Sequence, residues 1–341
     1  MGFMSSERLD LVIIGAGPAG LSGADAAARA GLNYLVLEKG LIADTIFRYP
    51  IGRTVFSTPN ELELREGALQ PCREKPTREE LLSHYVRFAL EENLRIQTEE
   101  AVTGIERATD EAGELFLVQT NRGAYRTARI LFAIGAMQYP RRLEVPGEDL
   151  PKVHHRFTEP YPYVRKEVLV VGGGNSAAEA SLFLSEEGAR TTLAIWRADW
   201  ENRDPKKNAI KHWVRAPLEE QIALGRLRLL FFTELLEISE REVRLGTDEG
   251  GTLTLANEAV FILIGSDADL SLLREAGVEI VRHGLAEVPV YDPETFETNV
   301  RGIYVAGHFT HARHIKEAIA VPRRLIPRLA AELKAELKKG A

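Results

Sequence analysis

Gly15, Gly17 and Gly20 stand in the spacing G-x-G-x-x-G, and Gly172, Gly174 and Ala177 repeat it as G-x-G-x-x-A in mid-chain. Such loops suit phosphate chemistry. Where a bend opens a helix, unpaired backbone N–H groups and the helix dipole favour an anion such as a pyrophosphate. Gly15 permits the tight turn, Gly17 lets the backbone approach the phosphate, and Gly20 lets the helix pack on the strand. Glu38 lies 18 residues past Gly20, where a carboxylate can accept hydrogen bonds from ribose hydroxyls. The same count from Ala177 reaches Ile195, so no acid falls there, and Trp196 and Arg197 follow directly. A guanidinium welcomes a 2′-phosphate that a carboxylate would repel, which favours NADPH over NADH at the second loop. Two dinucleotide sites of different ribose character imply an internal electron carrier and a nicotinamide donor, with hydride passing from nicotinamide to flavin.

The flanking residues supply the elements such loops need. Leu9–Ile14 is a short apolar run ending at glycine, followed by an alanine-rich stretch to Arg29, a stop at Gly31, and a second run Tyr34–Leu37 ending at Glu38. This reads as strand, helix and parallel strand. Val168–Val171, the Ala/Glu/Leu-rich stretch to Glu187, Gly188 and Thr191–Trp196 repeat the unit. Between them, residues 101–130 alternate apolar and polar side chains, as an antiparallel meander does. Residues 139–162 carry five prolines and read as the hinge between domains. A second connection is expected after Phe261–Gly265, and Pro322 and Pro327 predict a break or kink in the C-terminal helix. The expected fold is α/β, with two Rossmann-like, three-layer, parallel-sheet domains.

Composition narrows the classes. The 341 residues hold 43 Lys+Arg against 50 Asp+Glu, a net charge of −7 that argues against nucleic acid as partner. No apolar run approaches the roughly 20 residues that span a bilayer, and the start lacks the layout of a signal peptide. A cytoplasmic protein with no membrane partner is expected. Its single cysteine, Cys72, excludes an internal disulfide.

The chain resembles flavoproteins of the thioredoxin-reductase-like group, and most closely the bacillithiol disulfide reductase (YpdA-type) branch. The resemblance rests on GAGPAGL at 15–21, TIFRYP at 45–50, FSTPNELEL at 56–64 and Ala133-Ile134-Gly135. It continues through LEVPGEDLPKVHH at 143–155, GGGNSAAEA at 172–180 and PVYDPETFETNVRGIYVAGH at 289–308. It implies a homodimer, with a discontinuous FAD domain over 1–154 and 267–341, completed by the returning C-terminal segment, and an NADPH domain over 155–266. FAD would be held by Gly15, Gly17, Pro18, Ala19, Gly20, Glu38 and Lys39. Phe47, Tyr49 and Thr58 would lie near the isoalloxazine, Val102 at the adenine, and Gly307, His308, Lys316 and Ala318 at the C-terminal return, with Gly135 also among the FAD contacts. NADPH would be held by Gly172, Gly174, Asn175, Ser176, Ala177, Glu179, Trp196, Arg197, Arg203 and Gly265, with Lys206, Lys207 and Lys211 as reinforcement, a docking face or a solvated face.

The departures are equally specific. Thioredoxin reductases carry Cys-x-x-Cys in the nicotinamide domain, whereas no cysteine follows Ala177 here. The bacillithiol branch carries a cysteine in the first glycine loop, where this chain has Ala19. Catalysis would then rest on the flavin, with His308 and His311 as candidates on the acceptor side. His308, His311 and His314 recur every three residues, but no acidic or thiol ligand shares the run, so no metal is expected. The acceptor would be a low-molecular-weight disulfide such as bacillithiol disulfide, or a small redox protein, as in a ferredoxin/flavodoxin–NADP reductase. A flavin monooxygenase matches poorly around Pro146-Gly147, and a redox sensor without turnover is the non-enzymatic alternative.

Overall fold

The computed structural model describes residues 3–55, 57–110, 113–204, 209–312 and 314–340. They divide into two compact units, one of residues up to 138 together with those from 267 onward, the other of 139–266.

In the first unit, the strand Phe3–Ile14 pairs in parallel with Tyr34–Leu37 on one side and Gly123–Phe132 on the other. Its side chains alternate between two buried layers. Leu11 and Ile13 pack with one cluster and Val12 and Ile14 with the other, as a strand covered on both faces requires. Ile96–Gln97 extends the sheet beside Tyr34–Leu37, and Ile303–Val305 pairs in parallel with the end of Gly123–Phe132. The first half of that strand instead pairs antiparallel with Gly113–Thr120, which pairs with Val102–Asp110, completing the meander.

The helix Pro18–Ala30 stops at Gly31, whose φ of 70° places it in the left-handed region. The small face of this helix receives the C-terminal helix Ile315–Gly340, and Ala24, Ala27, Ile319, Ile326 and Leu329 share one core. Both prolines lie inside that helix, without the expected break. An interior proline costs about 3 kcal/mol. Here burial of Ile319, Val321, Leu325 and Ile326 offsets it, and the Ser22 hydroxyl donates to the Ile319 carbonyl at 2.8 Å in the turn before Pro322.

The second unit is built on the parallel order Leu227–Phe231, Arg190–Ile195, Glu167–Val171, Ala259–Ile262, Val153–His154. An antiparallel sheet of Leu235–Ile238, Glu242–Gly246 and Thr252–Ala256 packs beside it. Residues 139–154, expected in the first domain as part of a hinge, fold with this unit. Val153 and His154 pair with Val260 and Phe261, and the Ile238 N–H donates to the Pro146 carbonyl at 2.9 Å. The buried Glu148 carboxylate gathers the N–H groups of Leu143, Glu144 and Val145. Its prolines therefore shape a folded loop, and the boundary falls at 138/139.

Candidate functional site

The first glycine loop is fixed by close backbone approaches. Gly15 has φ +107°, and a Cβ on it would lie 2.5 Å from the Ala133 carbonyl oxygen; one on Gly20 would overlap the Gly15 carbonyl. At Gly17, the helix N-cap, a Cβ would meet no other atom within 4 Å, and Pro18 occupies the first helical turn. A helix start leaves its first N–H groups without intrahelical partners, and no acid in this first turn opposes an anion there.

Glu38 reaches this loop from the end of the neighbouring strand. It is 9% exposed, and its Oε2 accepts the Ala16 N–H at 2.7 Å while Oε1 accepts the Gly40 N–H at 2.7 Å. Burial pushes its carboxyl above the usual range, opposed by those two hydrogen bonds. Lys39 beside it is exposed, and Val102 opens the meander strand half-buried opposite Thr120. Gly307, with φ +108°, brings the C-terminal return onto the loop, since a Cβ there would lie 3.4 Å from the Ala19 Cβ. His308 follows on the surface, and Gly135 turns the chain with φ +67° just past Gly123–Phe132.

A second group gathers around Thr58. The Glu61 carboxylate accepts the Thr58 N–H and hydroxyl, both at 3.2 Å, and pairs with Lys316 Nζ at 3.4 Å. The Thr58 N–H, more than the lysine, holds Glu61 below the usual carboxylate range. Thr58 and Lys316 are among the expected FAD contacts and Glu61 is not, although Thr58-Pro59-Asn60-Glu61 carries the capping-box spacing. The next residues are clamped by groups that no local spacing marks. Tyr85 donates to the Leu62 carbonyl at 2.8 Å, and Arg323 to those of Glu63 and Leu64 at 2.9 and 2.6 Å. Ala318 is buried on the same C-terminal helix. Phe47 is exposed under the Arg78 guanidinium, and Tyr49 lies under that of Arg53. His311 meets the His283 ring edge-on and lies tilted against Tyr291.

The second loop repeats the plan. Gly172 has φ +148°, and a Cβ on it would overlap the Leu263 carbonyl; at Gly174, the N-cap of Asn175–Glu186, a Cβ would meet nothing within 4 Å. Ser176 is exposed in the first turn, Ala177 and Glu179 are buried, and Asn175 Oδ1 accepts the Lys211 N–H at 2.8 Å. Arg197 stands just past the strand Arg190–Ile195, paired with Asp248 at 3.0 Å and lying 4.1 Å over the Phe231 ring. Trp196 packs on Phe232 and donates to the Thr233 carbonyl at 3.2 Å. Arg203 turns back to the Trp200 carbonyl at 2.5 Å, and Gly265, with φ +103°, accepts the Arg141 N–H at 3.0 Å. Lys206 and Lys207 lie outside the described residues.

Cys72 is exposed, its N–H donating to Glu80 at 2.8 Å. Among the described residues no group of three or more His, Cys, Asp or Glu side chains could hold a metal ion, and no helix is long and apolar enough to cross a membrane.

Residues 12–307, spanning both loops, match the family described as pyridine nucleotide-disulphide oxidoreductase. The chain belongs to this family. It is therefore an oxidoreductase of thioredoxin-reductase-like architecture. It is 35% identical over 296 residues to the bacilliredoxin reductase Bdr of Bacillus subtilis, covering 87% of this chain and 88% of that protein. A ferredoxin–NADP reductase of Ignicoccus hospitalis is 28% identical over 315 residues, covering 89% and 90%. The solved bacillithiol disulfide reductase Bdr of Staphylococcus aureus superposes with a TM-score of 0.87 at 28% identity, covering 96% of this chain and 99% of that one.

Proposed function

We propose that the protein is an NADPH-dependent flavoprotein reductase, with FAD on the first unit and NADPH on the second, passing electrons to a diffusing acceptor. The observation that carries this reading is the pair of open glycine loops, with a buried carboxylate against one and a guanidinium at the strand end beside the other.

Bound FAD would supply the redox chemistry, taking hydride from NADPH and releasing electrons to the acceptor. The chain's own residues bind and orient. The Ala19 and Gly20 N–H groups would hold the FAD pyrophosphate, Glu38 would accept its ribose hydroxyls, and Gly307 would close the loop from the C-terminal side. Glu61, held by Thr58 and Lys316, fixes the segment that the Tyr85 and Arg323 clamp then continues. On the second unit the Asn175 and Ser176 N–H groups would receive the NADPH pyrophosphate, and Arg197 its 2′-phosphate.

The acceptor this reading favours is a low-molecular-weight disulfide such as bacillithiol disulfide, with the balance NADPH + H⁺ + RSSR → NADP⁺ + 2 RSH. Likeness to the two Bdr proteins supports it. A second reading, transfer to ferredoxin or flavodoxin, is favoured by Ala19 and by the lone exposed Cys72, because no thiol pair is present to relay electrons. The reading includes a cytoplasmic homodimer. The experiment is steady-state NADPH oxidation by the FAD-loaded protein with each acceptor over a range of salt. Turnover with the disulfide supports the first reading, steeply salt-dependent turnover with ferredoxin alone supports the second, and turnover with neither contradicts both.

A further inference from the structure

The two glycine loops differ less than their sequences suggest. In the first, a carboxylate touches the residue after the leading glycine, Glu38 Oε2 accepting the Ala16 N–H at 2.7 Å. In the second, the corresponding residue is Gly173, and a carboxylate lies against it as well. A Cβ built on Gly173 would fall 2.5 Å from the Asp199 Cβ and closer still to Oδ2. Asp199 escaped the sequence count because it lies 22 residues past Ala177 rather than 18, on the short helix Arg197–Glu201 that follows the strand. Only a glycine at 173 leaves room for it. Meanwhile Arg197, two residues earlier, has its guanidinium engaged by Asp248 and Phe231.

We infer that Asp199 is the specificity-determining residue of the second loop, setting how strongly it distinguishes NADPH from NADH. This rests on the reading of that loop as a nicotinamide dinucleotide site. A carboxylate against the loop accepts a hydrogen bond from a free ribose hydroxyl and repels a 2′-phosphate, whereas Arg197 does the reverse. The two side chains oppose each other, and the site retains affinity for the unphosphorylated cofactor.

The test is calorimetric binding of 2′,5′-ADP and of 5′-AMP to the FAD-loaded protein, with thermal unfolding as a check on the fold. Asp199→Asn keeps the side chain's shape and is expected to bind 2′,5′-ADP about tenfold more tightly, about 1.4 kcal/mol, and 5′-AMP several-fold more weakly. Asp199→Ala should shift the ratio the same way, and Arg197→Ala the opposite way. An unchanged ratio in both Asp199 variants, or weaker 2′,5′-ADP binding in both, would overturn the assignment while leaving the dinucleotide site intact. If the unaltered protein binds neither probe, the nicotinamide reading of the loop fails and this inference with it.

Discussion

Gly307 and Ala19 meet across nearly the whole length of the chain, a Cβ on the glycine falling 3.4 Å from the alanine Cβ. The contact docks the strand Ile303–Val305 and its following turn onto the first glycine loop. Gly307 sits at φ +108°, where an L side chain costs at least roughly 1–2 kcal/mol. Gly307→Ala should therefore lower the melting temperature and weaken FAD retention on dilution. A variant that unfolds and releases flavin as the unaltered protein does would show that the contact is dispensable.

Ala19 stands where the bacillithiol branch carries a thiol. Ala19→Cys should raise the rate at which the NADPH-reduced protein is reoxidised by a low-molecular-weight disulfide, because a thiolate in the loop adds a nucleophilic path. Stopped-flow reoxidation measures it, and an unchanged rate would mean that the acceptor does not approach this loop.

Glu38 predicts a pH effect whose sign follows from its environment. Its folded-state pKa is raised by burial, so ionisation disfavours the apo fold: the contribution to stability is present below the unfolded pKa and is lost as pH rises through the folded one. Glu38→Gln should flatten the pH dependence of apo stability across that interval while weakening FAD binding about tenfold, the loss of a charge-assisted hydrogen bond. Denaturant midpoints measured against pH with and without FAD separate the two effects.

Glu80 predicts the opposite limb. The Cys72 and Thr77 N–H groups hold its carboxyl down at about 2, so its contribution is present above the ordinary value of 4.5 and is lost as pH falls towards 2. Glu80→Gln should make acid unfolding shallower in that window. Thr77→Ala, which removes the cap of Arg78–Glu91, should cost about 1 kcal/mol at neutral pH by denaturant titration.

Tyr85 is fully buried, and its hydroxyl serves the Leu62 carbonyl. Tyr85→Phe leaves that carbonyl unpaired at a cost of roughly 1–3 kcal/mol. Because the carbonyl belongs to the segment led by Thr58, FAD affinity should fall together with stability. A stability loss with unchanged flavin affinity would separate the clamp from the cofactor.

Much of this was legible in the residues. Hydrophobic runs, glycine spacing and Glu38 together marked the first strand–helix–strand unit, because local backbone geometry and a strand-end acid are both written at fixed offsets. The meander was visible as alternation over 101–130. Residues 139–154 were misassigned because prolines mark turns without saying what the turns pack on, and the carboxylate of Glu148 that ties Leu143–Val145 acts through folded backbone. Pro322 and Pro327 misled for a related reason: the partner helix and Ser22 that support them lie about 300 residues away. Asp199 was missed because a fixed offset does not count an inserted helical turn. Glu61 was within reach, since the capping-box spacing was present and not used.

The most direct measurement is anaerobic titration of the purified, FAD-loaded protein with NADPH, following the visible absorption of the flavin. The expected result is a yellow protein whose absorption bleaches on adding equimolar NADPH and returns when an electron acceptor is admitted. A protein that takes up no flavin, or one whose flavin NADPH leaves oxidised, would contradict it.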